Sequence, residues 1–234
     1  MKIIVINGTE VQGCTYQMKE LFLASLRAKN EITEFYMPKD MPHACCGCKI
    51  CFFDDATKCP HVFWINPIWT AILDADLLVF TAPVYGLSIP GQLKSLLDHF
   101  CVRWMVHRPE PAMFSKQAVI IANCIGPSFL AKSSQRDLVN ALSWMGVSKI
   151  SRCGIGLLEG VIWNELSIKR RNKIETKVKR LALKHMSMRP VGRSMKTRIK
   201  FAFCKVIHKA VLKKEETPSA DNQHWIDHGW IAIK

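Results

Sequence analysis

Leu77–Ala82 is apolar or weakly polar at every position, with β-branched and aromatic members and no alternation, and Pro83 and Gly86 close it. A run of that kind fits a strand buried on both faces, as in a parallel sheet covered by helices. Ile3–Ile6 and Gln117–Asn123 share the pattern, and Glu31–Tyr36 and Val147–Ile155 read as further strands. Between them the apolar positions change to a helical period. Met18, Leu21, Phe22 and Leu26 mark a helix over 16–29, with the small Ser25 in its stripe. Ile65–Leu73 is a second helix, and Leu93, Leu96, Leu97 and Phe100 mark a third that begins near Gly91. Leu130–Trp144 is a fourth, closed by Gly146. Strand and helix alternate over 1–160 without an internal repeat. The prediction is an α/β fold with a doubly wound, five-stranded parallel sheet.

Right-handed crossovers bring the loops after strands one, three and four to one edge of such a sheet, where ligands bind. Those loops are Thr9–Thr15, Pro83–Ile89 and Asn123–Ser128. The first opens onto a helix, whose N–H groups and positive dipole end favour a phosphate, and Thr9 and Thr15 can add hydroxyls. Thr15 as a simple helix cap is the alternative. The loop is neither Gly-x-Gly-x-x-Gly nor a P-loop. Along Pro83–Ile89 a flat aromatic ligand can lie against Tyr85, although a plain strand-to-helix connection accounts for the same residues. His99, His107 and Asp98 are read as structural, so no catalytic residue is assigned.

Composition adds a division of the chain. Hydrophobic residues make up 49% and charged residues 22%, which excludes disorder. No apolar stretch reaches the ~18 residues of a membrane span. The N-terminus runs straight into the first strand, too short for a signal peptide, so a cytoplasmic protein is expected. Its ten cysteines then read as thiols or metal ligands. Net charge is +14, but 169–214 alone holds 17 Lys and Arg against one acid, Glu175. That segment carries +16 and leaves the rest of the chain at −2. We therefore divide the chain into 1–165 and a basic helical extension, 166–234, with a Cys-rich loop at 43–60. The extension reads as a helix over 166–186, a break at Pro190 and Gly192, and a second helix over 194–214. In that second helix Met195, Ile199, Ala202, Phe203, Val206, Ile207 and Ala210 form an apolar stripe. Three readings stay open. The stripe packs on the body or a second subunit, or 193–214 contacts an anionic membrane, or the segment binds nucleic acid, the least favoured. Trp225 and Trp230 in the tail are expected to dock, because exposed indoles are costly.

Cys45, Cys48, Cys51 and Cys59, with Pro60 following, form C-x2-C-x2-C-x7-C-P, and Cys46 is an extra. Two-residue gaps let three thiolates converge on one cluster face while a distant fourth closes it. A [4Fe-4S] cluster, free thiols and zinc are the alternatives, zinc preferring paired cysteines with a longer separation.

The chain resembles the flavodoxin-like NAD(P)H-dependent FMN oxidoreductases, including their iron–sulfur flavoprotein branch. The residues that carry the resemblance begin with Ile6-Asn7-Gly8-Thr9, Gly13-Cys14-Thr15, Ala75-Asp76 and Pro83-Val84-Tyr85. Leu93-Lys94, Leu97-Asp98, His107-Arg108-Pro109 and Trp144-x-Gly146-Val147 follow, and Asp221-x-x-x-Trp225-x-x-x-Gly229-Trp230 ends the match. The resemblance implies a flavodoxin-like fold and an FMN site in three parts. Thr9, Val11, Gly13, Cys14 and Thr15 would hold the phosphate. Pro83, Val84, Tyr85 and Gly86 would lie along the flavin ring, and Asn123, Cys124, Ile125 and Gly126 would complete the pocket. The compact cysteine motif implies a [4Fe-4S] cluster beside the flavin, within reach because its loop follows strand two; without a cluster, the same thiols would line the mouth of the flavin pocket. NAD(P)H is implied as co-substrate, a quinone-like molecule or redox protein as acceptor, and a homodimer or tetramer as assembly. A non-enzymatic electron carrier between protein partners is the alternative. One departure is visible: the first loop has Thr9-Glu10-Val11 where many relatives carry Ser-Pro-Arg, so the phosphate-facing Arg is absent. Glu10, turned inward, would oppose the phosphate.

Overall fold

The computed structural model describes residues 1–157, 162–186 and 191–232. The strands are β1 Lys2–Asn7, β2 Glu31–Tyr36, β3 Leu77–Pro83, β4 Gln117–Ile125 and β5 Lys149–Leu157. The helices are α1 Cys14–Ala24, α2 Ile50–Phe53, α3 Val62–Asp74 and α4 Gly91–His99, then α5 Ala131–Trp144, α6 Ile168–Leu183, α7 Met195–Leu212 and α8 Ala220–Asp227. One five-stranded sheet runs β2-β1-β3-β4-β5, every pairing parallel. The order reverses between β1 and β3, which is the ligand-binding switch point of open α/β sheets.

The expected burial on both faces holds for β1, β3 and β4, while the edge strand β2 stays half-buried or exposed. Ile4, Ile6, Leu78, Phe80 and Ile120 face α3, α4 and α5, while Ile3, Val5, Val79, Val119 and Ile121 face α1 and α6. Side chains alternate sides along a strand, so an unbroken apolar run is what two covered faces require.

Several boundaries differ from expectation. The first helix begins at Cys14 and stops at Ala24, with only a 3-10 turn at Arg27–Lys29. Strand four continues beyond Asn123 to Ile125, because β5 runs on to Leu157 beside it and pairs Ile125 with Leu157. Strand five starts at Lys149, two residues later than Val147. Within the Cys-rich loop a short helix forms at Ile50–Phe53. Pro190, read as the break between the last two long helices, lies outside the described residues.

The extension does not form a separate body. Ile174, Val178 and Ala182 of α6 join the core on the α1 side of the sheet. Cys204 of α7, Trp225 of α8 and Ile231 pack with Met105 and Phe114 in a smaller cluster, to which Trp230 adds a ring. Trp225 is fully buried and its indole N–H donates to the His107 carbonyl at 2.7 Å, so the docked tail is as expected. Of the three readings open for the α7 stripe, packing on the body of this chain is excluded: Met195, Ile199, Ala202, Phe203, Val206 and Ala210 face away from it. Thr197, Cys204 and His208 are the side chains this helix buries. Among the described residues no helix is long and apolar enough to cross a membrane.

Candidate functional site

At the carboxyl ends of β1, β3 and β4 the three loops enclose a cleft of about 610 Å³. Eleven of the thirteen residues expected there line it: Thr9, Val11, Gly13, Cys14, Thr15, Pro83, Val84, Tyr85, Asn123, Cys124 and Ile125. Gly86 and Gly126 do not. Both have positive φ, +54° and +104°, a backbone that glycine adopts at least cost, so they turn the rim instead of facing the ligand. Glu10 is exposed and off the cleft wall, so it does not oppose an anion there.

The loops are tied to one another. No side chain caps α1, whose N-cap is Gly13; the Thr15 hydroxyl instead donates to Asn123 Oδ1 across the cleft floor. That rules out Thr15 as the helix cap. The Thr9 hydroxyl is occupied locally, accepting the Val11 N–H at 3.2 Å. Val84 N–H donates to the Asn123 carbonyl at 2.8 Å, which locks the β3 loop to the end of β4. Burial pushes the Cys14 and Cys124 thiols up, so both stay protonated at neutral pH. Tyr85 stands at the rim, 48% exposed, and lines the cleft.

Sequence reasoning missed the opposite wall. Gln12 and Gln17 extend the phosphate end, and Ile162, Trp163 and Asn164 close the far side. Trp163 follows β5 in a 3-10 turn, and no spacing in the sequence pairs it with Tyr85. Also missed was the support beneath the first loop. The Lys19 side chain is fully buried and contacts Glu34 at 2.6 Å, Glu20 at 2.9 Å and the Tyr36 hydroxyl at 3.0 Å. Burial works against its charge, but those partners outweigh it and raise its pKa. Asn7 donates to Glu34 at 3.2 Å and accepts from the Thr81 hydroxyl at 3.0 Å, so the network reaches the ends of both β1 and β3.

The cysteine loop forms a second cavity, about 90 Å³, lined by Cys45, Cys46, Cys48, Cys51 and Cys59. The four cysteines expected as metal ligands thus all border one cavity. Asp54, Asp55 and Lys58 turn outward, with Lys58 paired to Asp54 at 2.8 Å. The cavity does not lie on the cleft, and the two share no lining residue. This corrects the expectation that the thiols would line the mouth of the flavin pocket. The loop folds down over the helical layer instead: the His43 carbonyl accepts from Ser95 of α4 at 3.1 Å, and α3 and the segment Asp98–Arg103 form the wall. Burial first, then the neighbouring cysteines, push the Cys51 thiol up.

His61 and His99 also enter this cavity, with Nδ1 of one 3.0 Å from Nε2 of the other. Their ring nitrogens and the Cys59 sulfur lie within 4.8 Å of one another. Arg108 anchors the loop from behind. Its guanidinium donates to the carbonyls of Cys51 at 2.7 Å and Phe52 at 2.6 Å, and to Asp221 of α8 at 2.8 Å. His107 adds a 2.7 Å contact to the same carboxylate. Two quoted motifs, His107-Arg108 and Asp221, thus form one unit.

A parallel sheet in the order β2-β1-β3-β4-β5, with an uncapped helix N-terminus and an aromatic-rimmed cleft at its switch point, defines a flavodoxin-like mononucleotide-binding protein. The chain belongs to the NADPH-dependent FMN reductase family, whose profile matches residues 1–156. An iron–sulfur flavoprotein of Methanocaldococcus jannaschii is 30% identical over 100 residues, 42% of this chain and 51% of that protein. An FMN-dependent NADH:quinone oxidoreductase of Pseudomonas syringae pathovar tomato is 39% identical over 59 residues, 23% of this chain and 29% of that protein. The chain thus matches about half or less of the length of these curated relatives. In fold it is similar to an FMN-dependent NADH-azoreductase of Bacillus anthracis in complex with FMN. The TM-score is 0.62 at 11% identity, over 80% of this chain and 100% of that one.

Proposed function

We propose that this protein is an FMN-dependent oxidoreductase that passes electrons from NAD(P)H to a quinone-like or other small acceptor. The carrying observation is the cleft at the switch point, where eleven residues chosen from sequence face one volume. FMN, when bound, supplies the ring that takes up and gives out electrons. The chain's residues bind and orient it. Backbone N–H groups at the start of α1 would hold the phosphate with the Thr15 region, since the described lining carries no Lys or Arg. Tyr85 and Trp163 offer flat surfaces, and Val11, Val84, Ile125 and Ile162 keep water from the ring. Residues 1–165 would then carry the site and 166–234 support it. A reducing, cytoplasmic setting and a dimer or tetramer complete the reading.

In the second cavity we place a [4Fe-4S] cluster on Cys45, Cys48, Cys51 and Cys59, supported by the four cysteines all bordering that cavity. Zinc on Cys59, His61 and His99 is the competing occupant. The test is anaerobic purification followed by mixing with NADH or NADPH. About one FMN per chain, bleached rapidly by either nucleotide, is expected. Reduction by a reduced ferredoxin but by neither nucleotide would establish the electron carrier instead. Failure to form a stoichiometric FMN complex would overturn both. Iron and acid-labile sulfide report the cluster separately; stoichiometric zinc without sulfide would replace it.

A further inference from the structure

Helix α7 docks through a mixed face, Thr197, Phe201, Cys204 and His208, and leaves its apolar stripe outward. Taking successive residues about 100° apart, the buried set Thr197, Cys204 and His208 lies about 180° from Met195, Ile199, Phe203 and Val206. The latter four are 70%, 62%, 60% and 66% exposed. The orientation is held on the buried side by the stacking of Phe201 and His208 on Trp225 together with hydrogen bonds. The Thr197 hydroxyl meets Ser148 at 3.2 Å and Ser194 at 2.8 Å, and His208 meets Asn222 at 2.7 Å and stacks on Trp225. Turning the stripe inward would break all of them and leave polar groups unpaired in the core.

Cations border the stripe along both edges. On the same helical projection Lys196 and Lys214 lie on one side, and Arg198, Lys205 and Lys209 on the other. Among the described residues none of these enters an ion pair with an acid. Lys200 is the exception to the outward set, turned back to Ser143 at 2.5 Å and to the Trp144 ring.

We propose that α7 docks this protein on an anionic lipid surface, with the Met195–Val206 stripe sunk among the acyl chains and the flanking lysines against the headgroups. Charge complementarity selects that occupant. A second copy paired through the same helix would set seven Lys and Arg of 195–214 against seven more, with no acid in the segment to offset them. A nucleic acid would satisfy the cations but press Ile199, Phe203 and Val206 against phosphates. A lipid interface alone offers anions at the edges and hydrocarbon in the middle. The helix spans about 27 Å and would lie in the membrane plane, as no described helix crosses it. The inference does not depend on what the cleft binds.

The test is co-sedimentation of the full chain with phosphatidylcholine vesicles, with and without phosphatidylglycerol. Binding is expected only with the anionic lipid, falling roughly tenfold or more from low to high salt. Phe203→Glu should abolish it. Lys205→Glu with Lys209→Glu should lower it at least roughly 25-fold, about fivefold per surface lysine lost. Unchanged thermal midpoints show that the variants fold; Val206→Glu reads the same surface should Phe203→Glu fail. Three results would overturn the proposal. One is no preference for anionic vesicles. Another is tighter binding to duplex DNA than to vesicles. The third is a dimer of the intact chain that Phe203→Glu splits without any vesicle binding.

Discussion

Arg108→Met tests whether one buried guanidinium holds the cysteine loop to the tail. The substitution keeps the aliphatic stem but removes the donors to Cys51, Phe52 and Asp221 and a longer contact to Asp54 at 3.3 Å. Those carbonyls lie at the carboxyl end of α2, where a cation complements both the unpaired oxygens and the helix dipole. Arg108 and Asp221 side chains are only 10% and 22% exposed. Breaking a buried pair from one side costs roughly 3–5 kcal/mol, and the partial access of Asp221 with its remaining contact to His107 points to about 3 kcal/mol. At about 2–4 °C per kcal/mol for a chain of this size, the thermal midpoint should fall by about 6–12 °C. Burial works against the Asp221 charge, but His107 and Arg108 hold its carboxyl below the usual range. The pair's contribution is therefore complete above the ordinary aspartate pKa, near ~4, and lost as pH falls through the lowered value. Urea unfolding across pH should show the two proteins far apart at neutrality and converging in acid. A double-mutant cycle with Asp221→Asn should give a coupling of about 1–3 kcal/mol. A loss below about 1 kcal/mol at neutral pH, well under the range for a broken buried pair, would refute the reasoning.

Tyr85→Ala should weaken FMN about two- to twelvefold in a fluorescence titration, the worth of one stacked ring, and an unchanged affinity would show that the ring does not cover the flavin. Burial, with Lys149 and Lys184 nearby, pushes His185 down to about 4, so it is neutral in the folded protein. Its contribution is complete above the unfolded pKa near ~6.5 and drains away towards pH ~4, a total of about 3 kcal/mol. His185→Leu should flatten that slope in urea midpoints measured at neutral and acid pH; an identical slope would exclude His185 as its source. Cys51→Ser should abolish iron binding in anaerobically reconstituted protein and leave FMN affinity unchanged, because the two cavities share no wall. A parallel loss of FMN would contradict that separation.

Much of the frame was legible because it is local. β2 falls at Glu31–Tyr36 residue for residue, since Asn30 and the turn after Tyr36 bound a run whose pattern needs no distant partner. The far end of β4 was not legible: Asn123-Cys124-Ile125 reads as loop, and only the neighbouring strand gives its backbone a ladder. The cleft was found from both sides of the switch point but not from Trp163, which arrives after β5 with no motif of its own. In α7 the period was legible and the direction was not. Periodicity locates an apolar stripe, whereas the side that meets the body was decided by Trp225 stacking on His208 and Phe201.

The cysteine loop shows the same limit at the level of function. Two-residue gaps let three of the cysteines approach one another, the fourth follows seven residues on, and all four border one cavity. Where the gathered thiols sit is set by contacts that spacing does not encode: Ser95 on the His43 carbonyl, and Arg108 on the carbonyls of Cys51 and Phe52. These fasten the loop to α4 and to the tail, on the outer side of the helical layer, and not to the cleft between β1 and β3. Phe53 and Phe63 stand exposed beside it, at 82% and 76%. Within one chain the two cavities are thus separate sites that share the sheet and its helices as a common support. The extension links them to the rest of the fold in different ways, α6 by covering the sheet beneath the cleft and α8 by holding Arg108 behind the cysteines. A change in the tail would therefore reach the thiols through Asp221 and Arg108 before it reached Tyr85 or Thr15.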